Sequence, residues 1–359
     1  MYKFKDIIEE VGERNTDLRY GLDDIVGVTI EKGLIPTVAN LAQTSLEKFY
    51  IVKPETFVYN PRTHGVRLGM GFNNTTNIYI TSWNNVAFRI KKEAQNIVIP
   101  YYLWLFFCRP IWDRLTNFLA WGSSTIVFAW KDFLNIDIVL PSIEYQREIV
   151  SEYETLTNRI HLNNQMIQNL EATAQALYRK TFVDNIDKEN LPEGWRMGTI
   201  GDMLELQRGF DLPSQARVDG KYPIYTSTGI AEYHNEYKVE PPCIVTGRSG
   251  TIGEVFYSNE KCWPLNTTLW VKDFKGTPSF FVYYKLKELD LGKTVSGFAA
   301  VPTLNRNDVH MMETVVPPKD ILLEFDSQMQ IIHNNLCCIE QENEKLTELQ
   351  SLLLAKMGQ

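Results

Sequence analysis

Apolar residues follow a strict 3.5-residue spacing in two segments of the chain, and the second segment repeats the first with every position shifted by 176 residues. The first series is Ile149, Tyr153, Leu156, Ile160, Asn163, Ile167, Leu170, Ala174 and Leu177. The second series is Phe325, Met329, Ile332, Leu336, Ile339, Asn343, Leu346, Gln350 and Leu353. This period is typical of a coiled-coil seam. It predicts two long helices, at about 144–182 and 320–357, that pack antiparallel on each other.

Three polar residues, Asn163, Asn343 and Gln350, lie inside the two seams. Polar residues at such positions fix register and partner at a cost in stability. An alternative is that each helix is an ordinary amphipathic helix that packs only on its own domain. The shared register and equal length of the two series favour pairing.

The 176-residue offset extends a short way upstream of the helices, since Pro141 maps to Pro317 and Asp132 maps to Asp308. Further upstream the correspondence fades. The pattern predicts an α+β fold with a pseudo-twofold internal repeat, in which two diverged domains are separated by two long antiparallel coiled-coil helices. The predicted segments are a first block (1–140), a first spacer helix (141–183), a linker with a second block (184–317) and a second spacer helix (318–359).

Short apolar runs bounded by turn residues predict strands in both blocks. In the first block the predicted strands are Ile25–Ile30, Phe49–Val52, Thr56–Tyr59, Ile78–Ile80 and Val86–Ile90, and the predicted helices are Phe4–Glu10 and Tyr101–Phe118. In the second block the predicted strands are Cys243–Thr246, Glu254–Tyr257 and Thr268–Val271, followed by a helix at Pro278–Leu289.

The net charge of −8 is unevenly distributed along the chain. The first block has a net charge of +1 and residues 192–317 have −2, whereas the helical segments 141–191 and 318–359 have −3 and −4. Phosphate contacts supply most non-specific DNA affinity, so this charge argues against a DNA-binding protein that acts alone.

The five cysteines form no C-x-x-C pair, and neither a signal peptide nor a membrane-length apolar run is found in the sequence. We therefore expect free thiols, no metal site and a cytoplasmic protein.

Catalytic motifs are weak. The stretch Gly247–Gly253 lacks the Gly-Lys-Ser/Thr ending of a phosphate loop and is interpreted as a tight turn between strands. Likewise, Glu240–Cys243 is interpreted as a turn into a strand rather than as a methyltransferase motif. The sequence gives no positive reason to expect an enzyme.

Basic, amide and hydroxyl residues cluster in polar loops of both blocks. Such side chains suit base edges and phosphates, because arginine forks match guanine, amides match adenine and hydroxyls reach phosphates. The candidates in the first block are Arg62, His64, Arg67, Asn73, Asn74, Thr75, Thr76, Ser123, Ser124 and Lys131. Those in the second block are Arg208, Arg248, Ser249, Thr251, Asn266, Thr267, Thr268 and Arg306. For any single residue, a solvated loop side chain is the simpler explanation.

The order of block, long helix, block and long helix resembles the specificity (S) subunit of type I restriction–modification systems. Several short sequence segments also resemble those of the family. They are Phe57–Pro61 (FVYNP), Gly122–Ser124 through Asp132-Phe133, Ile138–Gln146 (IVLPSIEYQ), Ala172–Phe182 (ATAQALYRKTF) and Leu191–Trp195 (LPEGW). The start of the second helix departs from this pattern, since Ile321-Leu322 stand where Tyr145-Gln146 do.

The resemblance implies a non-catalytic subunit whose two blocks are target-recognition domains for double-stranded DNA. It also implies partners: two methyltransferase subunits gathered on the helices and, for restriction, two translocase–nuclease subunits. S-adenosylmethionine, ATP and Mg²⁺ would bind to those partners, and the expected product is N6-methyladenine. A 39-residue helix is ~58 Å long, and a turn of DNA is ~34 Å. We therefore expect a bipartite, asymmetric site with half-sites centred roughly one turn apart.

Two alternatives remain open at this stage. One is a specificity subunit of a solitary methylation system, or of a related defence complex without a nuclease. The other is a coiled-coil adaptor that binds only proteins.

Overall fold

The computed structural model describes residues 1–37, 44–63, 67–121, 126–184, 186–292 and 303–357. The chain forms two compact units: unit 1 comprises Met1–Leu162 and Glu342–Gln359, and unit 2 comprises Asn163–Gln341. Each unit contains one block together with half of each long helix. The units therefore divide inside the helices, whereas the sequence pattern places segment boundaries at the helix ends.

Unit 1 is built around an antiparallel four-stranded sheet. Its strands are β1 (Tyr2–Lys3), β2 (Ile8–Glu10), β3 (Val26–Thr29), β4 (Gly33–Pro36), β5 (Tyr50–Val52), β6 (Phe57–Tyr59), β7 (Arg62–Thr63), β8 (Met70–Phe72), β9 (Tyr79–Thr81), β10 (Val86–Ile90), β11 (Ile126–Val127) and β12 (Asp137–Ile138). Its shorter helices are α1 (Phe4–Ile7), α2 (Pro100–Cys108), α3 (Pro110–Leu119) and α4 (Trp130–Leu134), with 3₁₀ turns at Leu22–Asp24, Leu46–Lys48 and Lys92–Ala94. The main sheet has the order β2-β10-β6-β8, and the pairs β3·β4, β5·β9, β7·β11 and β1·β12 lie outside it.

Aromatic rings fill one face of the unit 1 sheet. The Phe57 ring stacks on Phe72 and Phe88, with ring centroids 4.5 and 5.1 Å away. Val58 belongs to a separate buried cluster that contains Val52. Successive side chains of a strand point to opposite faces, so both faces of the sheet are covered. This explains why β6 is a continuous apolar run rather than an alternating one.

The first long helix, α5 (Ile143–Phe182), contributes its first half to unit 1 and its second half to unit 2. The strands of unit 2 are β13 (Arg196–Thr199), β14 (Glu205–Arg208), β15 (Tyr222–Thr226), β16 (Gly229–His234), β17 (Cys243–Gly247), β18 (Val255–Ser258), β19 (Trp263–Pro264), β20 (Thr268–Asp273) and β21 (Glu313–Val316). Its helices are α6 (Ile200–Met203), α7 (Ser279–Glu288) and α8 (Arg306–His310), with a 3₁₀ turn at Ser214–Ala216, and the second long helix is α9 (Lys319–Lys356). The sheets have the orders β14-β20-β17-β18, β16-β15-β19 and β13-β21.

The two blocks share one frame although their sequences have diverged. In each block a short strand and a one-turn helix precede the main sheet in the chain: β1 and α1 in unit 1, and β13 and α6 in unit 2. In both blocks this first strand pairs with the strand that precedes the long helix. The one-turn helices start in the same way. The Lys3 amide donates to Asp6 Oδ2 at 3.0 Å, and the Thr199 amide donates to Asp202 Oδ2 at 2.9 Å. The internal repeat therefore extends through the blocks, beyond the reach of the 176-residue offset.

The predicted seams coincide with the least exposed row of each long helix. Between residues 151 and 173, every seam position of α5 is buried or half-buried and every other residue is exposed. The positions of the second series along α9 are likewise buried or half-buried. The predicted fold class, with two long paired helices and a repeated α+β frame, is confirmed.

Within unit 1 the helices run antiparallel. Arg159 forms a two-bond ion pair with Glu342, with Nε–Oε1 and Nη2–Oε2 distances of 2.9 and 3.2 Å. Eight residues further along α9, the Gln350 amide donates to the Thr157 hydroxyl at 2.8 Å. Residue numbers along α5 therefore decrease as those of their partners along α9 increase. Gln350, one of the polar seam residues, has a partner on the facing helix.

Within unit 2 a partly buried polar network and aromatic rings join α5 to the block. The Tyr178 hydroxyl donates to Glu288 Oε2 at 2.5 Å, and Lys285 pairs with the same carboxylate at 2.9 Å. Burial, together with the Glu288 carboxylate, raises the pKa of the Tyr178 hydroxyl well above its usual value, so the hydroxyl remains a donor. The Phe182 and Phe325 rings pack edge to face at 5.0 Å and bring α9 into the same core.

Gln146, near the start of the first long helix, is polar but fully buried, and its hydrogen bonds explain why. Its fully buried amide accepts from the Ile99 amide at 2.9 Å and donates to the carbonyls of Ile97 and Pro141 at 2.9 and 3.0 Å. All three backbone groups belong to half-buried residues, where a polar group without a partner is costly. The equivalent residue in unit 2, Leu322, lies in the apolar core instead. The two helices therefore begin alike but are anchored by different chemistry.

Two predicted helices of the first block are wrong in detail. Phe4–Glu10 forms only one helical turn, because Ile8 becomes extended and Ile8–Glu10 pairs with β10. Tyr101–Phe118 is interrupted at Arg109, which adopts an extended conformation before Pro110. A residue that precedes proline is disfavoured in the helical region, so this stretch forms two helices.

We expect the substitution Gln146→Leu to lower the free energy of unfolding by about 2 kcal/mol, because three backbone groups of half-buried residues lose their partner while side-chain volume is preserved. Urea denaturation measures the effect. Gln168→Leu, on the exposed face of α5, is the matched control and should change stability by no more than about 0.5 kcal/mol. Equal stability of the two variants would contradict the anchoring role of Gln146.

Candidate nucleic-acid interface

Three strands bring the best-defined group of candidate residues to one edge of the unit 2 sheet. The central strand β20 is antiparallel to both β14 and β17, with Arg208 opposite Leu269 and Gly247 opposite Thr268. The end of β14, the end of β17 and the start of β20 therefore meet. This edge collects Arg208, Arg248 and Asn266, which the sequence separates by up to 58 residues.

The two arginines converge on one oxygen. Arg208 Nε and Arg248 Nη1 each lie 3.4 Å from the carbonyl oxygen of Asn266. The Asn266 side-chain amide donates to the Asp211 carboxylate, and Arg208 Nη2 lies 3.9 Å from that carboxylate. We call these four residues the arginine cluster. It offers two guanidinium groups against one carboxylate at the edge of the block.

Main-chain hydrogen bonds hold Arg248 on both sides. Its amide donates to the Thr267 carbonyl at 2.9 Å, and its own carbonyl accepts from the Leu304 amide at 2.8 Å. The next amide, that of Ser249, also donates to the Thr267 carbonyl at 3.2 Å. The base of this side chain is therefore fixed independently of the guanidinium.

Glycines next to each arginine allow the close approach of these segments. A Cβ at Gly247 would lie 2.0 Å from the Thr251 carbonyl oxygen, and one at Gly209 would lie 2.2 Å from the Leu265 carbonyl oxygen. Both obstacles are backbone atoms, which cannot rotate away. An arginine next to a glycine, as in Arg208-Gly209 and Gly247-Arg248, is thus the local sequence signal for the cluster. Only the two arginines were predicted as site residues.

The stretch Gly247–Gly253 turns between the antiparallel strands β17 and β18, which confirms its interpretation as a tight turn. Gly250 and Gly253 have φ values of +86° and +105°, a region that residues with side chains rarely adopt. Thr251 lies exposed at this turn. Glu240–Cys243 likewise leads into β17, as predicted.

The first block presents an equivalent loop. The Phe128 amide donates to the Pro61 carbonyl at 2.8 Å, which is the counterpart of the bond from Leu304 to Arg248. The next residues, Arg62 and Ser249, then pair across antiparallel bridges with positions 127 and 303, which differ by the 176-residue offset. Arg62 and Ser249 therefore occupy the same position in the two frames. Arg62 is exposed and Ser249 is half-buried.

Five further candidates of the first block, Arg67 and the four residues 73–76, fall into two places. Arg67 is exposed just before β8, at the end of the sheet that also carries Arg62. The residues Asn73–Thr76 follow β8 and so lie at the opposite end. Unlike the second block, the first block does not bring those of its candidates that the structure describes into one cluster.

Asn73 and Thr268 were predicted as exposed loop residues, and this is corrected by the structure. The Asn73 amide is buried and donates to the carbonyls of Val52 and Asn77 at 3.1 and 2.9 Å. The Thr268 hydroxyl is fully buried and donates to the Leu265 carbonyl at 2.7 Å. Short polar side chains at turns often satisfy neighbouring backbone groups in this way.

Other candidates are placed without forming a site. Asn74, Thr75 and Thr76 are exposed, Lys131 is exposed on α4, and Arg306 is exposed as the first residue of α8. Thr267 is half-buried, with its backbone carbonyl bound by Arg248 and Ser249. His64, Ser123 and Ser124 lie outside the described residues. The sequence reasoning missed Asp211, whose carboxylate orients the Asn266 amide.

Among the residues that the structure describes, no group of three or more His, Cys, Asp or Glu side chains is arranged to hold a metal ion. None of the described helices combines the length and apolar character needed to cross a bilayer.

Comparison with known proteins agrees with this arrangement of two similar blocks. A sequence model for the "Type I restriction modification DNA specificity domain" matches twice, at residues 31–172 and 192–351. The chain is 22% identical over 312 residues to the "Type I restriction enzyme MjaIX specificity subunit" of Methanocaldococcus jannaschii, covering 76% of this chain and 71% of that protein. It is 20% identical over 371 residues to the "Type I restriction enzyme HindI specificity subunit" of Haemophilus influenzae, covering 76% and 80%.

Two solved structures share the fold. The "Type-I restriction-modification system S subunit from M. genitalium" aligns with a TM-score of 0.62 at 13% identity, covering 99% of this chain and 94% of that one. A chain from a structure described as the "structural basis underlying complex assembly and conformational transition of the type I R-M system" aligns with a TM-score of 0.53 at 17% identity, covering 99% and 96%.

We expect Gly247→Ala to destabilise the protein by about 2 kcal/mol, because the added methyl group meets backbone that cannot yield without moving the turn. Thermal or urea unfolding measures the effect. The control is Gly27→Ala, where a Cβ meets nothing within 4 Å, and this variant should keep its stability. If both variants unfold at the same denaturant concentration, the close approach at Gly247 is not a structural requirement.

Proposed function

We propose that each block of this chain reads one half of a split DNA site, because the chain belongs to the family of type I restriction modification DNA specificity domains. Its function is sequence-specific DNA recognition for a type I restriction–modification complex. We assign the chemistry to other subunits: adenine methylation to methyltransferase partners and cleavage, where it occurs, to translocase–nuclease partners. S-adenosylmethionine, ATP and Mg²⁺ would then bind to those partners.

One observation supports two readers most directly. Both blocks use the same frame, down to equivalent hydrogen bonds from Phe128 to Pro61 and from Leu304 to Arg248. At the next position of that frame one block presents Arg62 and the other presents Ser249. Side chains with different donor patterns favour different base edges and phosphate contacts. A duplicated frame with unlike side chains therefore suits an asymmetric bipartite target better than a palindrome.

The helices supply a surface for a partner. In unit 1 an open apolar groove, the helix groove, is lined by Ser151, Glu152, Thr155, Leu156, Leu349, Leu352, Leu353 and Lys356. Leu349 and Leu352 are 49% and 58% exposed although they are large and apolar. Exposed apolar patches with a polar rim mark protein-binding sites. We propose that a methyltransferase subunit docks here, and that its basic surface compensates for the weak charge of the blocks.

We propose further that the length of the long helices sets the number of unread base pairs between the half-sites. At ~1.5 Å per residue, a helix of 40 residues is about 60 Å long. Half-sites centred roughly one DNA turn, ~34 Å, apart are compatible with a separator of this size.

Single-molecule sequencing of genomic DNA from a host that expresses the chain with its methyltransferase partner tests the function. We expect a modified adenine in a bipartite, asymmetric motif. Replacing residues 192–317 by the corresponding block of another specificity subunit should change one half of the motif and leave the other half unchanged. Absence of any new motif, with an active partner, would favour the alternative of an adaptor that binds only proteins.

The docking proposal has its own test. We expect Leu352→Asp to weaken binding of the methyltransferase partner at least about tenfold, because a charge would be buried in an apolar contact. Titration calorimetry with the purified partner measures this. Leu162→Asp introduces the same charge on a leucine that is 56% exposed and lies outside the helix groove, and it should bind normally. Equal affinities would rule out the helix groove as the docking site.

A further inference from the structure

We propose that Arg248 reads a guanine in the major groove and that Arg208 beside it binds a backbone phosphate. This inference rests on the proposed function, since it names the residue of the second block that determines one base pair of the target. It assigns different tasks to two arginines that share one carbonyl oxygen.

The case for Arg248 as the base reader begins with its backbone. Three hydrogen bonds hold the main chain of Arg248 and Ser249 against residues 267 and 304, and Gly247 permits the tight turn that follows. The guanidinium is held on the Asn266 carbonyl through one nitrogen at 3.4 Å. An arginine has five N–H donors in a fixed fork, so most of its donors stay available. A side chain that extends from a fixed main chain with most of its fork free is suited to the O6 and N7 acceptors of guanine.

The charge of Arg248 is not cancelled locally. In the part of the chain that the structure describes, no carboxylate oxygen lies within 4.0 Å of its guanidinium. Arg208, in contrast, has Asp211 at 3.9 Å, and its side chain is 53% exposed. Its exposure leaves Arg208 the freedom that a phosphate contact tolerates. Arg248 is half-buried and extends from a fixed main chain, as a base contact requires. Phosphate contacts position the protein and base contacts provide specificity.

Asn266 supports the pair rather than reading adenine. An amide that recognises adenine needs its donor and its acceptor free at the same time. Here one of the two side-chain N–H donors is engaged by Asp211, which ties the amide to that carboxylate. The backbone carbonyl of the same residue receives both arginines. Asn266 is therefore a positioning residue, and its carbonyl sets the spacing of the two guanidinium groups.

The experiment uses the full chain in complex with its methyltransferase partner, on the duplex motif identified for the unaltered complex by sequencing. We expect Arg248→Lys, which keeps the charge and removes the fork, to lose about tenfold or more in discrimination at one guanine-containing pair of one half-site. The sequenced motif of that host should become degenerate at the same single position. Arg248→Ala should relax the same position.

Arg208→Ala should instead weaken binding to all duplexes alike and reduce the salt dependence of binding by about one counterion, while the motif stays unchanged. Arg196→Ala is the matched control. Arg196 has a side chain that is 60% exposed and pairs with Asp202 of α6, and it lies on β13, which belongs to a different sheet from β14, β17 and β20. It should change neither the motif nor the affinity.

The outcomes separate the two levels of the proposal. If the unaltered complex methylates a bipartite motif and both Arg248 variants fold and keep every position of it, Arg248 does not read a base and the inference fails while the proposed function stands. Relaxation at an A·T pair would also overturn the assignment to guanine. If the unaltered complex recognises no DNA motif, the proposed function itself fails.

Discussion

The packing of α5 against α9 along their 3.5-residue seams is the constraint on which the rest of the molecule depends. Each seam is narrow, and the residues between its positions are exposed along most of α5, so neither helix has enough apolar surface to be stable alone in water. In each unit one half of α5, one half of α9 and a block form a common core. Polar contacts such as Arg159 with Glu342 then fix the antiparallel register.

The starts of the helices show how one geometry is stabilised by two kinds of chemistry. In unit 1 a buried glutamine forms hydrogen bonds with the backbone groups of residues 97, 99 and 141. In unit 2 Leu322 packs in the core at the same position. Since a buried amide is favourable only where it satisfies every neighbouring polar group, the two solutions cannot be exchanged by a single substitution.

A rigid frame with variable loops is well suited to recognition. The sheets place loop ends by backbone pairing, which tolerates many side chains, and the loops present whatever donors the sequence supplies. In the second block this produces the arginine cluster, whose two guanidinium groups share the Asn266 carbonyl. In the first block the equivalent loop presents Arg62. Changing the side chains on such loops alters recognition without disturbing the core.

The sequence by itself determined the two long helices to within about one residue at each end, their pairing, and the repeat near them, because a heptad pattern is a local property that each helix displays in full. It also identified several strands and the turn at Gly247–Gly253. Pro110 indicated a break after α2, but the helix predicted at Tyr101–Phe118 ran through it. Only the tertiary structure decided that Ile8–Glu10 is a strand, that Asn73 is buried and that Arg208 meets Arg248. These features depend on strand pairing between residues far apart in the chain, and no periodicity of a local segment reports which distant segment will lie beside it.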